Sequence, residues 1–360
     1  NDLTTGVLVL NVEAAAPQTI HLESCPLVSQ SISYELRDII YINQTEAVAV
    51  GSHGMILKSY DGGLSWSQIK HKAFSRLLKL QFVSDKTGYA LGERTLLKTI
   101  DKGETWTSLE NPSVTYPYGT NMLFINPQTG FIIGNESPVY KTTDGGKNWR
   151  VVLNNYNGAT AGFFLNDQMG FLCGNAPNTI WKTTDAGESW ETVNLNLEES
   201  YNRKFVAIHF TTDQKGLLFD NKGNIYTSND GGSSWTFNNA IESAPTSLYF
   251  YSENSGYVAI DGKLYKTEDG GETWSVAYDN YRLTPLAIAL SEDQQRMLMV
   301  GQSNYYSGNV IAYKETGTDW QITSELFSSD DYPVSDFSGD LGFHASENGI
   351  HITQDGGLTW

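Results

Sequence analysis

Apolar and polar residues alternate along this chain in short runs, each four to eight residues long and bounded by Gly, Asp, Asn or Ser. That is the signature of antiparallel strands joined by tight turns. The first unit sets the pattern. Strands are predicted over 35–42, over 47–50 ending at Gly51, and over 55–59 running into Asp61-Gly62-Gly63, with a fourth starting at Trp66. Later second strands open with Gly88-Tyr89, Gly130-Phe131, Gly170-Phe171, Gly256-Tyr257 and Gly342-Phe343. Third strands carry an aliphatic-aromatic-Lys pattern, as in Val139-Tyr140-Lys141, Ile180-Trp181-Lys182 and Leu264-Tyr265-Lys266. Trp181 fills the slot held elsewhere by Leu57, Leu97, Tyr140, Tyr226 and Tyr265, so it belongs to the scaffold.

A box of the form Ser/Thr-x-Asp-x-Gly-x-Ser/Thr-Trp follows each third strand. Its copies end at Trp66, Trp106, Trp149, Trp190, Trp235, Trp274, Trp320 and Trp360, spaced by 40, 43, 41, 45, 39, 46 and 40 residues. A period near forty with short strands suits the blade of a β-propeller. The expected fold is all-β, a propeller of four-stranded antiparallel blades. Eight units begin near residues 34, 76, 118, 160, 203, 244, 284 and 332, so eight blades are favoured, with seven as the alternative. The last unit stops at Trp360, where its fourth strand would begin, and an open edge leaves backbone groups unpaired. Residues 1–33, with β-prone runs at 6–12 and 19–22, are expected to supply the closing strand to a single propeller domain over 34–360.

The box has a mechanical reading. Glycine supplies the positive φ of a tight turn, Asp folds back onto backbone N–H groups, and Trp packs between sheets. On this reading Asp61, Asp101, Asp144, Asp185, Asp230, Asp269 and Asp355 are structural. The loops lack the regularly spaced oxygen ligands and bidentate Glu of a calcium loop, and no metal or cofactor is expected. Around Trp320 the box is degenerate: Tyr313 replaces Ser/Thr and Glu315 replaces Asp, a loss that a structural device tolerates.

Composition narrows the function classes. A net charge of −18 disfavours nucleic acid and anionic membrane surfaces. No stretch reaches the roughly 18 apolar residues of a membrane span. Cys25 and Cys173 have no metal-type spacing; Cys173 reads as a small buried residue, and a disulfide between the two stays open. A chain beginning Asn1-Asp2-Leu3 reads as a trimmed product, hence an exported protein, periplasmic, cell-surface or secreted.

With the box cleanest at Ser59, Asp61, Gly63, Ser65 and Trp66, and the unit Leu-x-Lys-Thr-x-Asp-x-Gly-x-Thr-Trp at Leu96–Trp106, the chain resembles the Asp-box (BNR) repeat families. These include sialidases, sortilin-type receptors, xyloglucan-cleaving glycosidases and, most similar, the photosystem II stability/assembly-factor propellers. The resemblance implies a non-catalytic scaffold or binding role. A sialidase-like site would need an arginine triad, and the seven arginines show no matching motif. A glycosidase, the alternative reading along with a glycan-binding protein, needs two facing carboxylates. Asp38, Glu136, Asp220, Asp261, Asp331 and Asp336 are candidates, but nothing in the sequence pairs them. Binding is expected on the face opposite the boxes, where loops carry Tyr116, Tyr118, Tyr156, Tyr201, Arg203, Tyr281, Arg282, Tyr305, Tyr306 and Tyr332. Tyr and Arg are enriched in binding hot spots. The expected partner is a protein or polysaccharide, and the expected state a monomer.

Overall fold

The computed structural model describes residues 35–325 apart from 72, 74, 94, 110–120, 135–137, 155–157, 198–201, 280–282, 304–308 and 319. Outside that span it describes the backbone of strands 8–10, 18–20, 334–338, 341–346 and 349–353. Seven four-stranded antiparallel sheets follow one another along the chain, each with its strands in sequence order. They are blades 1 to 7, spanning 36–68, 77–108, 121–153, 159–194, 205–240, 247–279 and 283–325. The chain divides into two compact units, residues 33–328 and residues 1–32 with 329–360. In the second, Leu8–Leu10 pairs with Gln18–Ile20, and Val334–Ser338, Leu341–Ser346 and Gly349–Thr353 form a three-stranded sheet.

The propeller therefore has seven blades, not the favoured eight. Every one of the seven draws its four strands from contiguous sequence, so none needs a strand lent from the N-terminus. Blades 1 and 7 meet by packing. Leu36, Ile39, Ala49 and Leu57 of blade 1 share one core with Ala287, Leu298, Ile311 and Tyr313 of blade 7. Tyr313 stands in the Ser/Thr slot of the degenerate box, and its ring fills this closing core. The lost box is thus a replacement rather than a decay.

The strand patterns follow from position in the blade. Second strands lie between neighbouring blades and are buried on both faces, as Ala47–Gly51 and Gly170–Gly174 are throughout. Fourth strands form the outer rim and are exposed; Thr107–Ser108 has both residues in solvent. Within blades 2 to 6, a Phe ending the first strand meets the box Trp edge-on. The pairs are Phe82–Trp106, Phe124–Trp149, Phe164–Trp190, Phe210–Trp235 and Phe250–Trp274. The glycine opening each second strand leaves room for that ring: a Cβ on Gly130 would stand 2.4 Å from Phe124.

The box geometry repeats closely. In blade 2, the Thr99 hydroxyl donates to Asp101 at 2.7 Å and accepts the Gly103 N–H at 2.9 Å. Asp101 also accepts the Thr105 N–H and hydroxyl. The Trp106 indole donates to the Gly103 carbonyl at 3.1 Å. Blades 1, 3, 4, 5 and 6 repeat the Asp contacts. These bonds hold the box glycine at positive φ, seated on the preceding blade. A Cβ would fall 2.4 Å from Leu298 at Gly63, 3.2 Å from Val48 at Gly103, 2.5 Å from Phe131 at Gly187, 2.7 Å from Phe171 at Gly232 and 2.5 Å from Leu217 at Gly271. A Cβ on Gly317, in the degenerate box, would meet none of the described residues within 4 Å.

This contrast is testable. Gly232→Ala combines a left-handed backbone with a clash on Phe171, and is expected to destabilise by about 2–4 kcal/mol. Gly317→Ala bears only the backbone strain, about 1 kcal/mol. Urea denaturation midpoints check both, and equal losses would contradict the seating of the box glycine.

Candidate functional site

The first strands of all seven blades line a central channel of about 480 Å³. Its polar side chains are Asp38, Lys79, Gln81, Asn121, His209 and others on those strands. Most of them stitch one blade to the next. Asp38 accepts the Leu80 N–H of blade 2 at 2.9 Å, and its own Ile39 N–H at 3.0 Å. Gln81 exchanges two 2.8 Å bonds with the backbone of Phe124 in blade 3. Asn121 donates to Thr160 of blade 4, and Thr160 to Phe205 of blade 5. Between blades 5 and 6 the link is aromatic: His209 stacks on Phe250 with centroids 4.6 Å apart. Burial raises the Asp38 carboxyl above its ordinary range, against the pull of Lys79 and the two N–H donors. Burial pushes His209 down to about 4.

Asp38 is the one carboxylate among the described lining residues. Glycoside hydrolysis needs two, roughly 5–10 Å apart. Asp220 is buried at 1% exposure and accepts the Lys222 and Asn224 N–H groups of its own turn. Asp261 sits in a turn at φ 43°. Asp336 lies on the strand Val334–Ser338 of the other unit. Glu136 and Asp331 lie outside the described residues. The box carboxylates are occupied by their own loops; the Ser234 hydroxyl and N–H hold Asp230 down at about 2.

The face opposite the boxes carries the starts of the first strands. Arg203, expected on an exposed loop, is instead buried at 7% exposure. It donates to Asn178 at 2.6 Å and to the Pro177 carbonyl, and lies over the Tyr226 ring near Asp220. It holds blades 4 and 5 together and presents no charge to a partner. Tyr116, Tyr118, Tyr156, Tyr201, Tyr281, Arg282, Tyr305, Tyr306 and Tyr332 lie outside the described residues, as does Asp355. A cluster absent from the expected set stands at the same face on blades 1 and 2. There Glu35 pairs with both Arg37 and Arg76, and Glu93 lies 3.8 Å from Arg76. Both arginine side chains are about one-third exposed, and among the described residues their buried Nε atoms have no hydrogen-bond partner. The sequence signal was available: Arg37 and Arg76 bracket the entry into the first two units.

A family model described as photosynthesis system II assembly factor YCF48 matches residues 10–101, 64–159, 99–236 and 159–321. The chain belongs to this YCF48 family. The family is one of assembly factors, not of the sialidases and glycosidases that share the box. The photosystem II assembly lipoprotein Ycf48 of Synechococcus sp. (strain CC9902) is 26% identical over 227 residues, which cover 62% of this chain and 54% of that protein. The chain thus spans about half the length of that relative. The chloroplastic photosystem II stability/assembly factor HCF136 of Arabidopsis thaliana is 33% identical over 81 residues, 22% of this chain and 20% of its own. Among solved structures, a YCF48 bound to D1 peptide superposes with a TM-score of 0.61 at 20% identity, covering 80% of this chain and 94% of that one. That likeness is one of fold.

His209 gives the site a pH signature. Its folded pKa lies below the ordinary 6.5, so the folded state resists the proton that the unfolded chain takes up. Its contribution is whole above pH 6.5 and is lost as pH falls toward 4. The loss amounts to about 3 kcal/mol. In thermal melts, wild type should lose stability relative to His209→Phe as the pH falls from 7 to 4. A Tm difference that stays constant across that window would contradict a half-buried, neutral His209.

Proposed function

We propose that this protein is a non-catalytic binding propeller that engages a carboxylate-bearing protein segment on the face opposite its boxes. The Arg37–Glu35–Arg76 cluster carries the reading. Two partly exposed arginines share Glu35, their Nε–H donors have no partner among the described residues, and a guanidinium matches a carboxylate with paired bonds. An incoming carboxylate would compete with Glu35 for both. Support also comes from the neighbour of the same fold whose structure holds a peptide. The loop tyrosines of the same face would flank the segment. An exported location is supported by the lipoprotein and chloroplastic relatives.

We also propose that residues 1–33 supply the missing strand to the sheet of 334–353. The two stretches fall in one compact unit, and an unpaired edge is costly.

Two measurements test these readings. In fluorescence anisotropy against acidic peptides, the Arg37→Gln/Arg76→Gln double variant should bind at least about tenfold more weakly than wild type, a loss of about 1.4 kcal/mol. Equal affinity would overturn the arginine anchor, and turnover of any member of a glycan panel would overturn the non-catalytic reading. Deletion of residues 1–24 should expose 334–353 to limited proteolysis, and an unchanged cleavage pattern would refute the strand donation.

A further inference from the structure

Six of the seven seams between blades are covered on the box face in the same way. The second residue or its equivalent on one blade's second strand is roofed by the next blade's box. Val48, Tyr89, Phe131, Phe171, Leu217 and Leu298 hold that position in blades 1, 2, 3, 4, 5 and 7, and all are fully buried. A basic side chain then fastens the roof. Lys58 donates to the Lys102 carbonyl at 2.9 Å and pairs with Glu104 at 2.6 Å. Lys98 donates to Gly145, Lys182 to Gly231, and Lys215 to Asp269. Lys141 pairs with Glu188, and Lys215 with Glu272. At the ring closure Arg296 takes this part, donating to the Gln44 carbonyl at 3.1 Å.

The seam between blades 6 and 7 departs from all six. The box that would cover it is the degenerate one; its Trp320 packs edge-on against Tyr278 of blade 6, but a Cβ built on Gly317 would meet none of the described residues within 4 Å. Tyr257, the residue in the roofed position of blade 6, is only half-buried, although its neighbours Val258, Ala259 and Ile260 are buried. The Tyr251 ring lies 6.0 Å from it. Lys266, in the position of the fastening lysines, turns back to Glu268 of its own blade and keeps 31% of its side chain exposed. The two blades are joined beneath this point by an apolar cluster that includes Leu264, Ile288 and Met299.

We propose that this seam, which no box glycine covers among the described residues, is a docking site for a glycine-containing acidic turn of a partner polypeptide. The six sister seams define the complement. Such a surface takes a turn with glycine at positive φ against its aromatic or aliphatic floor, a backbone carbonyl toward the lysine, and in three cases a glutamate beside it. Tyr257 supplies the floor and Lys266 the cation, which leaves Glu268 when a partner carboxylate or carbonyl arrives. A side chain at the turn's glycine would clash with the floor, so the site selects glycine by the same sterics that exclude a Cβ at Gly232 and Gly271. This surface lies on the box face and is independent of the arginine cluster.

The probe is a backbone-cyclised peptide with the sequence of residues 267–274, Thr-Glu-Asp-Gly-Gly-Glu-Thr-Trp, which in the chain roofs Leu217. Titrated to about 5 mM into the isotope-labelled full chain, it should shift the NMR signals of Tyr257 and Lys266 with a Kd near 1 mM. Lys266→Glu and Tyr257→Ser should each weaken it by at least about tenfold, and a peptide with valine for both glycines should not bind. Lys266→Glu leaves the cluster beneath the seam untouched, whereas Tyr257→Ser trims a ring that packs against it, so unchanged methyl signals of Leu264 and Ile288 are required of both variants. Absence of shifts at Tyr257, or shifts indifferent to both variants, would overturn the proposal. Self-association of the peptide-free protein through Tyr257 would overturn it in favour of a second copy.

Discussion

The box glycine held at positive φ on the face of the preceding blade is the contact on which the ring depends. A single blade has two apolar faces and cannot bury either alone. The Ser/Thr–Asp–Ser/Thr hydrogen bonds cost little sequence and fix a turn narrow enough to reach Val48, Phe131, Phe171 or Leu217 without a Cβ in the way. The same turn grips its own blade: Lys102 donates to the Lys86 carbonyl, and Gly231 to that of Gln214. Each complete box therefore acts in two directions. It anchors the third and fourth strands at home and covers the second strand next door.

The blade pattern was legible because it is local. Strand lengths, the buried second strand and the box turns are all set by residues within about ten positions of each other. Ring closure was not legible. It rests on Leu36, Ile39 and Tyr41 meeting Ala287, Leu298 and Tyr313 from some 250 residues away, and these carry no mark distinguishing them from any other core residue. Counting repeats therefore gave eight, because the unit over 334–353 is written like the rest. The Phe–Trp pairs were missed although their signal is regular. Phe82, Phe124, Phe164, Phe210 and Phe250 each stand six residues before the glycine that opens the next strand.

The site was legible only in part. Asp38 looked like a catalytic candidate because an acidic residue on a first strand faces the channel. Its carboxylate is instead occupied by backbone N–H groups on both sides of a seam. Arg203 looked exposed because the chain before it is polar, yet Asp220, seventeen residues later, draws it inward beside Tyr226. Sequence separates charges by type, whereas burial depends on which partner the fold brings near. The arginine pair at Glu35 was overlooked for the converse reason: its members come from different blades and meet only when the first two blades pack.

If the boxes seal the seams, the ring is uneven, and blade 7 is its least fastened member on the side toward blade 6. Native-state amide hydrogen exchange, followed strand by strand, tests this directly. The account predicts that the second and third strands of blade 7, Arg296–Ser303 and Asn309–Glu315, exchange ahead of their counterparts in blades 2 to 5. Exchange of all seven blades in one cooperative step, or protection in blade 7 equal to that of blade 4, would contradict it.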